Sequence, residues 1–142
     1  MKRWSAHLGG ILLLGCSVAL SGCQVDKGPP MHKLTGKLSD KGNPLSLNEK
    51  GPPGASHIAL EFYPVGADGK LVNNDPKVAT VEKDGTFKLD GIGTGKFKVV
   101  VHQWNPYPDN DVLKNKFSKE KSTIIRDVSG DASLDIDISN PK

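Results

Sequence analysis

From about His32 to Ile138 the chain is written in short apolar–polar alternations, each closed by a turn signal, and that pattern excludes most folds. Ile58, Leu60 and Phe62 interleave with Ala59, Glu61 and Tyr63. Phe97, Val99 and Val101 alternate with Lys96 and Lys98, and Leu134, Ile136 and Ile138 with Asp135 and Asp137. Residues two apart leave a strand on the same face, so each run covers a core with one side and meets water with the other. The runs end at Asp40-Lys-Gly-Asn-Pro44, Gly66-Ala-Asp-Gly69, Lys83-Asp-Gly85, Gly91-Ile-Gly-Thr-Gly95 and Ser129-Gly-Asp131. Asp-Gly between apolar runs is a hairpin signal. No segment sustains a helical period, and 16 Gly and 10 Pro spread through 142 residues argue against a helical bundle or coiled coil. Seven strands are predicted, at 34–38, 58–63, 78–81, 86–89, 96–101, 122–128 and 133–138. That number, with a turn signal between most neighbours, predicts an all-β, seven-stranded antiparallel β-sandwich over 32–142.

The apolar residues outside this pattern are concentrated before it. Lys2 and Arg3 precede an apolar block, Leu8-Gly-Gly-Ile-Leu-Leu-Leu-Gly-Cys-Ser-Val-Ala-Leu20, which is too short for a stable membrane span. Leu20-Ser21-Gly22-Cys23 follows and resembles a bacterial lipobox. Residues 1–22 are therefore read as a lipoprotein signal peptide, Cys23 as the acylated residue, and 23–31, with Gly28-Pro-Pro30, as a lipidated tether. A thiol is the side chain able to carry diacylglycerol as a thioether, and more than one acyl chain is needed for stable anchoring. Two alternatives stay open: acylation at Cys16, which also follows Leu-Leu-Gly, and an uncleaved signal anchor. A Cys16–Cys23 disulfide does not survive loss of the leader. Gln24 stands where Asp would signal inner-membrane retention, which favours the outer membrane on its extracytoplasmic side.

Charge excludes one class of partner. The chain carries 19 Lys+Arg and 16 Asp+Glu, a net +3; without Lys2 and Arg3, 17 basic residues face 16 acidic ones, a net +1. The lysines are scattered among acids rather than clustered as phosphate binding requires, so no nucleic-acid partner is expected.

Several elements come in a familiar order: Thr35-Gly-Lys-Leu-Ser39, Gly42-Asn-Pro-Leu45, Ile58-Ala-Leu-Glu-Phe-Tyr-Pro64, Ala79-Thr-Val-Glu-Lys-Asp-Gly-Thr-Phe87, Gly95-Lys-Phe-Lys-Val-Val-Val101 and Ser122-Thr-Ile-Ile-Arg-Asp-Val128. The order resembles small lipoproteins of planctomycete-type bacteria that carry a carboxypeptidase-regulatory-like, transthyretin-like domain. The resemblance implies a prealbumin-like or Ig-like sandwich and no established activity. The chain departs from the pattern at Gly93-Thr94, where the family usually has Pro before the Gly, and in a longer insertion at 45–54.

Candidate chemistry is sparse. His32, His57 and His102 have no metal-ligand spacing, and they read as polar residues near strand ends. Hydroxyisourate hydrolases, which share the sandwich, end in Tyr-Arg-Gly-Ser; here the chain reads Ile138-Ser-Asn-Pro-Lys142, so that site is not expected. Intradiol dioxygenases need two Tyr and two His, and Tyr63 and Tyr107 have no such paired histidines. Asp109-Asn-Asp111 reads as a solvated acidic tip rather than a calcium loop, because the full Asp-x-Asp-x-Asp-Gly pattern is missing. Asp135 and Asp137 read as a solvent-facing pair.

The most informative stretch is 103–121, a connection of about 19 residues, and loops of that length are usually functional or disordered. It carries Trp104, Tyr107, Asp109 and Asp111, stiffened by Pro106 and Pro108. The aromatics suit stacking on a sugar or docking a partner, or folding back to cap the sandwich. The expected product is a membrane-anchored, non-catalytic lipoprotein of the cell envelope. Cys23 would be its lipid site and 103–111 a possible loop for an envelope protein or glycan, with no metal and no cofactor. The alternative is a carbohydrate-binding module built on that aromatic loop, or an enzyme or metal protein using His102, Asp109 and Asp111.

Overall fold

The computed structural model describes residues 28–47, 52 and 55–140. Cys23, the leader and most of the tether lie outside the described residues, as does most of the 45–54 insertion. The strands are β1 (Met31–Asp40), β2 (Asn43–Pro44), β3 (His57–Val65), β4 (Lys77–Val81), β5 (Thr86–Gly93), β6 (Gly95–Trp104), β7 (Ile125–Val128), β8 (Ala132–Ser133) and β9 (Ile136–Asp137). No helix occurs among the described residues. Seven strands form one curled antiparallel sheet in the order β2-β1-β5-β4-β3-β6-β7, a half-barrel, with β8 and β9 paired to β1 off that path.

β4 makes the curl. Lys77 to Ala79 pair with β3, whereas Thr80 and Val81 pair with β5. The inward residues of both halves meet in one core, with Leu34, Leu38, Phe87, Leu89 and Ile92 on one side and Ile58, Leu60, Phe62, Phe97, Val99 and Val101 on the other. Phe62 and Phe87, both fully buried, meet across it with ring centroids 6.3 Å apart.

The expected turn at 91–95 is mostly strand. β5 continues to Gly93, and Gly91, at φ 74°, is the extra residue of a bulge: Lys33 faces Asp90 while His32 faces Ile92. One unpaired residue shifts the alternation by one place. That is why Leu89 and Ile92, three apart, both point into the core.

The last predicted strand also differs. Rather than one antiparallel strand over 133–138, the chain makes two-residue pairings, β8 and β9, that run parallel to β1. Aspartates take acceptor places along that edge. The amide of Lys33 donates to Asp131 Oδ1 and that of Lys37 to Asp135 Oδ1, each at 2.9 Å. Asp137 accepts from Lys41 at 3.1 Å and from Gly42 at 2.8 Å. Between these, the amides of Leu134 and Ile138 donate to the carbonyls of Thr35 and Ser39. Asp135 and Asp137 thus hold a sheet edge as well as meeting water, and Ile136 and Ile138 reach the core as expected. The predicted strand at 122–128 begins only at Ile125.

Candidate functional site

The site is built on the outer face of β3 and β6. Because Phe97, Val99 and Val101 fill the core, Lys96, Lys98, His102 and Trp104 leave β6 on the opposite side. The register sets Trp104 against His57 and His102 against Ala59. The 105–124 segment then turns back along β6. The amide of Val112 donates to the Gln103 carbonyl at 2.8 Å, that of Val101 to Phe117 at 3.1 Å and that of Val99 to Ile124 at 2.9 Å. Ser122 Oγ donates to the Val99 carbonyl. The loop therefore continues the β7 pairing along an edge that would otherwise be open.

Four rings gather where this loop leaves β6. His102 stacks on Trp104 with centroids 5.0 Å apart and planes 20° apart. Tyr107 meets Trp104 edge-on at 5.7 Å and lies against His57 at 4.6 Å. The Tyr107 amide donates to the Ala55 carbonyl at 2.7 Å, which ties the loop to the start of β3. One face of Trp104 is thus occupied by His102. Tyr107, 54% exposed, is the ring that the cluster offers to solvent.

Asp111 departs from the expected solvated tip. Its side chain is 1% exposed. It accepts from the amides of Gln103, Leu113 and Asn115, each at 3.0 Å, and contacts His102 Nδ1 at 2.8 Å. Burial by itself pushes the carboxyl pKa up; the bonds from His102 and the three amides outweigh it and hold the group below the ordinary carboxylate range. One carboxylate therefore fixes the loop, and it also fixes the ring that stacks on Trp104. Asp109 remains exposed and does not join it.

Of the sequence candidates, Trp104, Tyr107 and Asp111 come together and Asp109 stays at the rim. His57 and His102, distant in the chain, belong to the cluster; the signal for His102 was its place two residues before Trp104 on one strand face. His32 lies elsewhere, 3.0 Å from Thr94 Oγ1. Further along the same outer face, Tyr63 donates to Glu61 Oε2 at 2.9 Å, and Lys119 Nζ sits 5.3 Å from the Tyr63 ring centre. Burial, then the Glu61 hydrogen bond, raises the Tyr63 pKa to about 12. Among the described residues no group of three or more His, Cys, Asp or Glu is arranged to hold a metal ion.

No family model matches the chain, and no curated protein matches it. Among solved structures, it is similar to a DUF3823 family protein from Parabacteroides merdae, with 23% identity and a TM-score of 0.50. The alignment covers 77% of this chain and 46% of that one, so this chain corresponds to less than half of its neighbour. At that identity the likeness concerns the fold.

Proposed function

We propose that this is a lipid-anchored, non-catalytic interaction domain of the cell envelope, held at Cys23 on the extracytoplasmic side of a membrane, the outer one by the Gln24 criterion. Its curled sheet closes as a two-layer, prealbumin-like sandwich of the kind carried by the small lipoproteins it resembles. The observation that carries the reading is the separation of two ends. Met31, where the tether joins, pairs with Gly93 beside the β5–β6 turn, while Trp104 pairs with His57 at the other end of β6. β6 has 10 residues, and at ~3.3 Å per residue it puts about 30 Å between them. A domain anchored at one end would thus offer the aromatic cluster to partners away from the bilayer. The non-catalytic reading is supported by Asp111, whose oxygens are committed to the loop's own amides and to His102.

The test is intact mass with membrane fractionation, on the wild type and on Cys23→Ala, in a host that processes lipoproteins. A diacylated or triacylated chain beginning at Cys23, with the variant released or unprocessed, supports the anchor. An unmodified soluble chain cut elsewhere overturns it. A second reading, glycan binding, is favoured by the exposure of Tyr107. Tyr107→Ala would then abolish retention on glycan-bearing envelope material while costing only about 0.5–1.5 kcal/mol of stability, the scale of a lost aromatic contact with Trp104 and His57.

A further inference from the structure

We propose that the groove at the tether end of β3, β6 and β7 is a membrane-contact face, resting on the headgroup layer of the bilayer that holds Cys23. It builds on the anchored reading above. The groove encloses about 620 Å³ and is lined by Val65, Gly66, Ala67, Gly69, Lys96 and Ile125. Its apolar side chains are open to solvent: Ile125 is 40% exposed. Val72, beside Gly66, flanks it; its amide is bonded to the Pro64 carbonyl and the residue is 66% exposed.

Position selects the occupant. Lys96 follows directly on the β5–β6 turn, and Met31, the start of β1, pairs with Gly93, the last residue of β5 before that turn. The groove therefore opens at the end where the chain arrives from Cys23. Residues 24–30 separate Cys23 from Met31, and at no more than ~3.6 Å per residue the intervening chain reaches less than about 30 Å. A short tether keeps the groove at high effective concentration beside the bilayer. Apolar surface held there is favoured at the headgroup–acyl boundary. Lys96 can lay its methylenes along the apolar surface and extend its ammonium to a lipid phosphate. Asp127 faces Lys96 across the β6–β7 register, and Asp68 lies in the adjoining turn. The contact is therefore mainly apolar and depends little on salt.

In the mature chain Cys16 is lost with the leader and Cys23 is acylated, so an introduced cysteine is the one free thiol. The full lipoprotein carrying Ile125→Cys, Ala67→Cys or the distal Val112→Cys is spin-labelled and reconstituted in phosphatidylcholine vesicles. Accessibility to oxygen and to a water-soluble nickel chelate then gives label depth. The expected result is that the labels at 125 and 67 lie at the boundary, ~5–10 Å into the interface, and the label at 112 in water. Aqueous values at all three sites, with intact mass showing an acylated Cys23, overturn the groove and leave the anchor standing. Dipolar broadening between groove labels without lipid contact assigns the groove to a second copy and also overturns the proposal. An unacylated chain overturns the anchor and the groove together.

Discussion

Two segments of this molecule are held by aspartates accepting backbone amides, and they do so in opposite surroundings. In the 103–121 loop a single buried carboxylate, Asp111, collects three amides and His102. Along β1 three aspartates, Asp131, Asp135 and Asp137, share the work at the surface. Hydrogen bonds to a charged acceptor gain strength as water is excluded, and losing one partner leaves the others unsatisfied. Water can replace a carboxylate at an exposed edge but not beneath a loop. The loop therefore depends on one residue, whereas the edge is distributed and tolerant.

That contrast breaks first at Asp111. Asp111→Ala should destabilise the domain by about 3 kcal/mol, the upper end of the cost of leaving buried hydrogen-bond donors without their acceptor. Urea unfolding measures the loss, and Trp104 fluorescence should change in the native baseline because His102 is no longer fixed against the indole. A loss no larger than that of an exposed edge aspartate would remove the distinction.

A smaller effect is expected at Gly36. A Cβ there would overlap the carbonyl of Leu134, so Gly36→Ala must push the C-terminal segment off β1. Overpacking of this kind costs about 1–3 kcal/mol. Hydrogen exchange should accelerate at the amides of Leu134 and Ile138, with the 103–121 loop unaffected.

The smallest effect should come with acid. Ser139, through its hydroxyl and its amide, and then the amides of Gly42 and Lys41 lower the Asp137 pKa from 3.8 to about 2. A depressed carboxyl contributes its stabilisation fully above the unfolded value of 3.8 and loses it as pH falls towards about 2. Asp137→Ala should therefore flatten the stability profile in that window and leave its shape above pH 5 unchanged. A parallel profile would show that the edge contact contributes nothing in solution.

The period-two pattern made the main strands legible, because alternation is a local property of residues such as Phe97, Val99 and Val101. It failed where alternation was interrupted or replaced. Gly91 shifts the phase of β5 through one unpaired residue, and a Gly-rich stretch reads as a turn when a bulge is the alternative. Asp135 and Asp137 read as solvent-facing because a carboxylate's preference for water is visible in sequence, while an amide within 3 Å of it is not. Asp111 reads as part of a solvated acidic tip, and its burial depends on where Gln103, Leu113 and Asn115 turn their amides.

What the sequence determined by itself was the all-β class and the inward set of side chains, since both follow from short-range periodicity and turn chemistry. Only the tertiary structure decided which strands became neighbours, that the C-terminal run lies parallel to β1, and that His57 joins Trp104 and Tyr107. Those outcomes depend on β4 passing from β3 to β5 and curling the sheet. Pairing between residues far apart in the chain is selected by the shared core rather than by any local preference.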